Sequence, residues 1–405
     1  MRSGWEQTTL GEVVSFKGGG TPSTEKSSYW NGDIPWVSPK DMKLSEVGDS
    51  IDKITPEAIG NSAASLIPTG AILIVVRSGI LARTIPVGIT TRPLAVNQDI
   101  KALCPGKDVD PRYLHYFMQA SEPHILKLVT RGATVHRLST DSLKALQFPK
   151  PQLPEQQRIV AILDEAFEGL ATATANAEKN LKSARELFDR YLNSVLSSGE
   201  YVRVALAEVC TISSSLVDPR KAEFIDLPHL GAGNMASKTG ELSDIKTARE
   251  EGLISGKFIF DSTMVLYSKI RPYLMKACRP DFKGLCSADV YPLFPNSGRL
   301  DRNFLFHLLM SKDFTDYAIS GSDRAGMPKV NRDHLFKYSF KLPSIGEQVV
   351  LARKLDEISS EAGRLAAFYA RKLADLAALK QSILRKAFSG ELTSPPSQAI
   401  QEAAE

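Results

Sequence analysis

The chain has 405 residues, of which 43% are hydrophobic and 24% charged, with a net charge of +4. That length is enough for two or three domains, each with its own core. No stretch reaches the ~20 apolar residues of a membrane helix, and the polar start MRSGWEQTT lacks the apolar core of a signal peptide. The four cysteines Cys104, Cys210, Cys278 and Cys286 form no C-x-x-C pair, as expected of a reduced, cytoplasmic protein with incidental thiols.

A first globular region is expected over residues 1–150. It carries 17 basic and 14 acidic side chains, a net +3 that hints at a polyanionic partner without deciding it. Trp5, Trp30 and Trp36 read as core, and Gly18-Gly19-Gly20-Thr21-Pro22 as a flexible turn rather than a phosphate cradle. Ile72–Val76, bounded by Gly70, predicts a buried strand, and Arg77 and Arg83 follow it into a loop. Tyr113–Gln119 predicts a short amphipathic helix, and Arg131 and Arg137 lie in a second cationic loop beyond it.

From 151 to 199 the pattern changes to one long helix. Pro154 and Glu155 suit a first helical turn. Apolar or small residues then recur at Ile159, Leu163, Ala166, Leu170, Ala173, Ala177, Leu181, Ala184, Phe188, Tyr191 and Val195, a heptad seam with one discontinuity. Gly199 is the stop signal.

A second globular region is expected over 200–343, again a net +3 with 20 basic and 17 acidic residues. Met264–Tyr267, bounded by Ser262, predicts a strand that leads into Lys269, Arg271, Tyr273, Lys276 and Arg279. Phe304–Met310 predicts a helix, and Arg324, Lys329 and Arg332 occupy the loop after it. A second long helix spans 344–392, opened by Ser344 and Glu347 at capping-box spacing. Its seam runs Leu351, Leu355, Ile358, Ala362, Leu365, Tyr369, Leu373, Leu376, Ile383 and Ala387, and Gly390 ends it. Residues 393–405 read as a frayed tail.

These regions repeat. PQLPEQQRIVAILDE from Pro151 returns as PSIGEQVVLARKLDE from Pro343, aligning Glu155 with Glu347, Gln156 with Gln348, Leu163 with Leu355 and Asp164 with Asp356. IPWVSPKDM answers LPHLGAGNM, AILIVVR answers TMVLYSK, VDPRYLHYFMQA answers LDRNFLFHLLMS, and RGATVHRLSTDSL answers DRAGMPKVNRDHL. A repeat unit this long means two copies of a domain-plus-helix, not a solenoid. The expected class is α+β: two tandem mixed α/β domains separated by two long antiparallel coiled-coil helices, with a pseudo-two-fold internal repeat. At 1.5 Å per residue each helix of roughly 44 residues would reach about 65 Å, and neither can bury its stripe alone. A shared framework with divergent loops implies one fold presenting two different surfaces.

Catalytic signatures are missing from the sequence. GLISGKF at Gly252 lacks P-loop spacing, and GAGN at Gly231 aligns with Ser38-Pro39-Lys40-Asp41, so it reads as a turn. The six histidines show no metal-ligand spacing. No Asn-Pro-Pro-Tyr or Asp-Pro-Pro-Tyr box is present to grip a flipped base. What remains is binding. Arginine and lysine after the strands can reach guanine edges or phosphates.

Two divergent domains, each followed by a long helix introduced by P-x-x-x-E-Q and reaching an L-D pair at Asp164 and Asp356, resemble the specificity subunit of type I restriction–modification systems. The resemblance covers residues 1–392, helped by L-x-E-V at Leu10 and Leu206. It implies that each globular half is a target-recognition domain reading one half of a split double-stranded DNA sequence. It also implies that the helices fix the gap and dock two modification subunits. S-adenosylmethionine, ATP and Mg are then expected on the modification and restriction/motor subunits, with no cofactor and no catalysis on this chain. Docking residues on the outward helix faces would be Gln156, Arg158, Glu165 and Glu168, and again Gln348, Arg353, Glu357 and Glu361. Copy two departs from copy one at Val349, Val350 and Leu351, where copy one has Gln157, Arg158 and Ile159, so the two docking surfaces need not be equivalent. The alternatives are a tandem receptor-binding protein on a coiled-coil stalk, against which the cationic loops argue, and a stand-alone DNA-binding regulator, which would bind tightly without a methylase partner.

Overall fold

The computed structural model describes residues 5–212, 215–322 and 328–393. The chain separates into two compact units, one made of the first 176 residues with those from Lys372 onward, the other of Ala177–Arg371. The division runs through both long helices, so each unit owns one globular half and one end of each helix.

Helix α1 (Leu153–Ser198) and helix α2 (Ile345–Ser389) match the expected spans within a few residues. At the start of α2 the Ser344 amide donates to the Glu347 carboxylate at 2.9 Å and the Glu347 amide donates back to the Ser344 hydroxyl oxygen at 3.5 Å, the two reciprocal bonds of a capping box. Gly390 takes a left-handed φ of 86° at the far end, a conformation that costs a residue with a Cβ about 1–2 kcal/mol. Every expected α1 seam residue is buried or half-buried. The α2 seam differs at two points. Leu365 is 41% exposed while Ala366 is half-buried, and Leu384 rather than Ile383 is fully buried. Both follow from the four-residue step around Tyr369, which rotates the apolar stripe on a helix of 3.6 residues per turn.

In the first unit Ile159, Leu163 and Phe167 near the start of α1 share a core with Ile383, Leu384, Ala387 and Phe388 near the end of α2. In the second unit Val195 and Leu196 near the end of α1 share a core with Leu351 and Ala352 near the start of α2. Within each unit, then, the beginning of one long helix lies with the end of the other. Thr393, at the edge of the expected tail, closes the 3-10 turn Glu391–Thr393 and its hydroxyl donates to Glu155.

The globular halves share one strand order, each sheet differing by a single edge strand. In the first, Val14–Gly18, Ile100–Pro105, Ile72–Val75, Val87–Thr90 and Glu46–Val47 form one sheet in that order. A second sheet runs Asp52–Ile54, Trp30–Val37, Leu94–Val96, Leu66–Ile67. In the second half the order Cys210–Ile212, Val290–Pro295, Val265–Ser268, Ala277–Cys278 answers the first sheet. Lys246–Thr247, Pro228–Leu230, Gly284–Cys286 and Lys257–Phe260, with Leu216–Val217 beyond, answer the second. The one parallel pairing of the second sheet recurs as well: Leu94–Val96 with Trp30–Val37, and Gly284–Cys286 with Pro228–Leu230. Strand Ile72–Val75 is buried at all four positions, which explains its unbroken apolar run; each such side chain stabilises by roughly 1.5–3 kcal/mol.

The glycine run is not a flexible turn. A Cβ on Gly19 would lie 1.8 Å from the Val96 carbonyl oxygen, so the residue is small because two backbones touch there. Trp36, itself buried, donates its indole N–H to the Gly20 carbonyl at 3.0 Å and meets Trp30 edge-on. GAGN is a turn: Gly231 N–H donates to Asn234 Oδ1 at 2.8 Å, as Ser38 N–H does to Asp41 Oδ2 at 2.9 Å. Among the described residues no helix is long and apolar enough to cross a membrane.

Candidate nucleic-acid interface

In the first half the two cationic loops meet. Strand Ile72–Val75 is followed by Arg77–Ser78, which pairs antiparallel with His136–Arg137, placing Arg77 directly opposite Arg137. Arg137 also exchanges backbone hydrogen bonds with Thr130, and Leu138 N–H donates to the Val76 carbonyl at 2.8 Å. Like charges directly opposite on a ladder destabilise it. The nearest acid is Asp99, whose Oδ1 stands 3.8 Å from Arg77 Nε. The Arg77 side chain is half exposed. Arg83 follows the 3-10 turn Gly79–Ala82, and Arg83, Arg131 and Arg137 are all exposed.

The second half builds the same junction with different side chains. Lys269 follows strand Val265–Ser268, and its carbonyl accepts from Val330 N–H at 2.8 Å. Ile270 bridges to Lys329, and Arg271 N–H donates to the Pro328 carbonyl at 2.9 Å. Lys269 and Lys329 share one carboxylate oxygen, Asp289 Oδ1, at 3.3 and 3.4 Å. The Lys269 ammonium also donates to the Ala288 carbonyl at 2.7 Å and sits 5.5 Å from the centre of the Tyr291 ring. Lys269, Tyr291, Lys329 and Val330, with Ser320, Gly321, Ser322 and Asn331, line a cleft of about 420 Å³. A 3-10 turn, Pro272–Leu274, again follows the cation, with Arg271 and Met275 flanking it at left-handed φ of 50°. Tyr273 is half exposed and Arg332 exposed at the start of helix Arg332–Lys337. Arg324 lies outside the described residues.

Two expected loop cations serve the fold instead. Lys276 is half-buried and donates to the Ala232 carbonyl at 2.7 Å, so its ammonium ties two loops together. Arg279 donates to Asn303 Oδ1 at 2.8 Å and to Asp356, with its guanidinium 4.5 Å from the centre of the Phe306 ring. Both spend their donors on partners within their own unit.

The helix faces need a parallel correction. Gln156 and Gln348 are fully buried, not outward. Gln156 Nε2 donates to the carbonyls of Asp108 and Pro151, at 2.9 and 2.8 Å, while its Oε1 accepts from Asp110 N–H at 2.9 Å. Gln348 repeats this bond for bond, to Arg299, Pro343 and Asp301, at 2.9, 2.8 and 2.8 Å. Asp110 and Asp301 are the N-caps of helices Pro111–Ala120 and Arg302–Leu309. Each glutamine therefore fastens a long helix to its domain at that domain's own helix start. One turn pair later Asp164 accepts from the Tyr116 hydroxyl at 2.5 Å and pairs with Arg112 at 2.9 Å, and Asp356 accepts from His307 at 2.9 Å and pairs with Arg279. Partial burial pushes the Asp356 carboxyl up, but the hydrogen bonds from His307 and Arg279 outweigh it and hold it at about 2. The E-Q…L-D signature is thus the joint between helix and domain. By contrast Arg158, Glu165, Glu168, Arg353, Glu357 and Glu361 are exposed, with only same-helix ion pairs such as Arg158–Glu155, Lys354–Glu357 and Arg364–Glu361 nearby.

The residues missed in the sequence are Asp99 and Asp289. In each half the backbone carbonyl of this aspartate accepts the amide of the leading cation, Arg77 at 3.3 Å and Lys269 at 3.0 Å. Asn97 Oδ1 and Ser287 Oγ receive the aspartate amides at 3.0 and 3.3 Å. The repeat held the signal, since NQD at Asn97 aligns with SAD at Ser287. Among the described residues no group of three or more His, Cys, Asp or Glu is placed to hold a metal ion.

Two copies of one framework, each gathering two cationic loops beside a sheet and each jointed to long helices, define a tandem protein with two unlike basic surfaces. The chain belongs to the family described as type I restriction modification DNA specificity domain, which matches residues 2–182 and 199–366. It is 37% identical over 195 residues to the EcoR124I/EcoR124II specificity subunit of Escherichia coli, covering 47% of this chain and 48% of that one. To the EcoDI specificity subunit, also of Escherichia coli, it is 34% identical over 217 residues, 54% of this chain and 47% of that one. The chain thus spans about half the length of these curated relatives. A solved structure of the type I R-M system superposes with a TM-score of 0.73 at 18% identity, over 97% of this chain and 99% of that one. The HsdS subunit from Thermoanaerobacter tengcongensis gives 0.55 at 19% identity, over 97% and 98%. Both share the fold.

Proposed function

We propose that the chain is the DNA sequence-specificity subunit of a type I restriction–modification complex. Each globular half reads one half of a bipartite duplex site through its paired cationic loops, and α1 and α2 set the unread spacer. Modification subunits dock on the exposed faces that carry Arg158, Glu165 and Glu168 in one copy and Arg353, Glu357 and Glu361 in the other. S-adenosylmethionine belongs to those subunits, ATP and Mg to the restriction/motor subunits, and the chain itself performs no chemistry.

The observation that carries this is Arg77 directly across the ladder from Arg137. Holding two guanidinium groups together costs stability in the free protein, and a polyanion relieves the repulsion. Arginine also offers the planar fork that matches guanine O6 and N7. With about eight phosphate contacts across both halves, affinity of the assembled complex for duplex DNA should fall roughly 10⁴-fold between 50 and 200 mM salt. A mobility-shift titration measures it. Binding that ignored salt would contradict the assignment.

A further inference from the structure

We infer that Asp99 and Asp289 are positioning residues for specificity: base preference in each half is set by a cation–aspartate couple, not by the cation alone. The inference rests on the DNA-reading role proposed above.

The geometry leads there in three steps. First, both aspartates are locked at the backbone. Asp99 receives Val76 N–H at 2.8 Å and Arg77 N–H at 3.3 Å on its carbonyl, and Asp289 receives Lys269 N–H at 3.0 Å. The carboxylate is therefore held at a fixed offset from the cation's own Cα, however the rest of the loop moves. Second, the couple leaves donors over. An ammonium has three; Lys269 spends one on Ala288 and is ion-paired with Asp289 at 3.3 Å, which leaves a donor over the cleft without a hydrogen-bond partner among the described residues. Arg77 turns Nε toward Asp99, which leaves both terminal nitrogens of its fork without a protein partner among the described residues. Third, Asp99 is incomplete in the free chain. Its Oδ1 is buried yet accepts no hydrogen bond, and the Arg77 Nε is 3.8 Å away, beyond hydrogen-bond reach. A small closure of Arg77 satisfies that oxygen and squares the guanidinium fork at the same moment. A buried acceptor without a partner is a standing penalty, so closure is favoured once a base or phosphate holds the far end.

The two halves differ in how far the couple is already formed. In the second half Asp289 bridges Lys269 and Lys329, fixing two point charges on one carboxylate. Asp289 is thus the pivot that turns two flexible lysines into one directional element.

The test uses the full chain assembled with its modification subunits and a duplex library randomised at every position of the site. Asp289→Asn keeps shape and removes the charge; Asp99→Asn does so in the other half. The expected result for Asp289→Asn is loss of preference at the bases read by the second half, about five- to tenfold. Preferences of the first half should not change, and Asp99→Asn should give the mirror image. If Asp289→Asn instead strengthens binding to all sequences equally, the carboxylate is merely a repelling charge and the inference falls. It falls equally if base preferences are unchanged while Lys269→Ala alters them, a result that leaves the DNA-reading role standing. A wild-type complex with no base preference would overturn both. Asp289→Glu guards against misfolding: it restores the charge at the wrong reach, and should bind as tightly at low salt as the wild type yet recover less than half the lost discrimination.

Discussion

Replacing Gln348 by alanine should unfasten the second unit from its helix, and the size of the effect follows from its contacts. The side chain is fully buried and makes three hydrogen bonds of 2.8–2.9 Å, two donated and one accepted. Each is worth about 1 kcal/mol net, and a buried partner left without one adds a desolvation penalty of ~1–3 kcal/mol. Water entering the gap recovers part of that, so about 3–5 kcal/mol is expected. For a unit of this size each kcal/mol moves the melting midpoint by about 2–4 °C, giving a fall on the order of 10 °C. Because the chain has two compact units, calorimetry should resolve which transition moves. Gln348→Ala should shift the transition of the second unit, and Gln156→Ala that of the first. Gln348→Glu is the sharper probe. It preserves volume but turns an oxygen toward the Arg299 and Pro343 carbonyls, so it should destabilise more at pH 8 than at pH 5, where the carboxyl can stay protonated. The exposed neighbour Gln157→Ala should cost less than about 0.5 kcal/mol. If Gln348→Ala cost no more than Gln157→Ala, the helix–domain joint would be wrongly assigned.

Two further outcomes follow from named groups. His115 is buried, and that burial, aided by the nearby positive charges of Arg112 and Lys380, lowers its imidazole to about 4. The unfolded chain therefore takes up the proton first as pH falls, so stability of the first unit should decline between about pH 6.5 and 4, by roughly 3 kcal/mol in all. His115→Gln should flatten that part of the denaturation profile, and an unchanged slope would count against the buried neutral imidazole. Reversing charge at Glu165 and Glu168, both exposed, should reduce co-purification of modification subunits without moving either thermal transition; intact assembly would remove this face from the docking surface.

The internal repeat made most of the fold legible. A shared order of segments, at an offset that drifts only with loop length, requires equivalent strands, and the parallel pairing of Leu94–Val96 with Trp30–Val37 recurs where the repeat places it. Seam periodicity located both long helices because burial on a helix recurs every 3.6 residues, whatever lies beneath it. Side-chain direction was harder. Gln156 and Gln348 are polar and each directly follows a glutamate, so composition alone puts them on the surface; only the backbone ends at Asp110 and Asp301 explain why an amide is needed inside. Arg279 and Lys276 failed for the same reason, since a cation after a strand reads identically whether it turns outward or finds Asp356 or the Ala232 carbonyl. Gly18 to Gly20 resembled a loop because glycine serves both flexible turns and tight backbone contacts.

The measurement that bears most directly on the account is methylation mapping of a host carrying the complete system, with the wild-type chain, with Arg77→Ala, and with Lys269→Ala combined with Arg271→Ala. The account predicts a bipartite wild-type site of two unlike half-sequences separated by unread bases, centred about one helical turn, roughly 10 base pairs, apart. Arg77→Ala should relax only one half-sequence and the double variant only the other, each at a discrimination of about 1–3 kcal/mol per base lost. A single contiguous palindromic site, or variants that weakened methylation equally at every sequence, would contradict it.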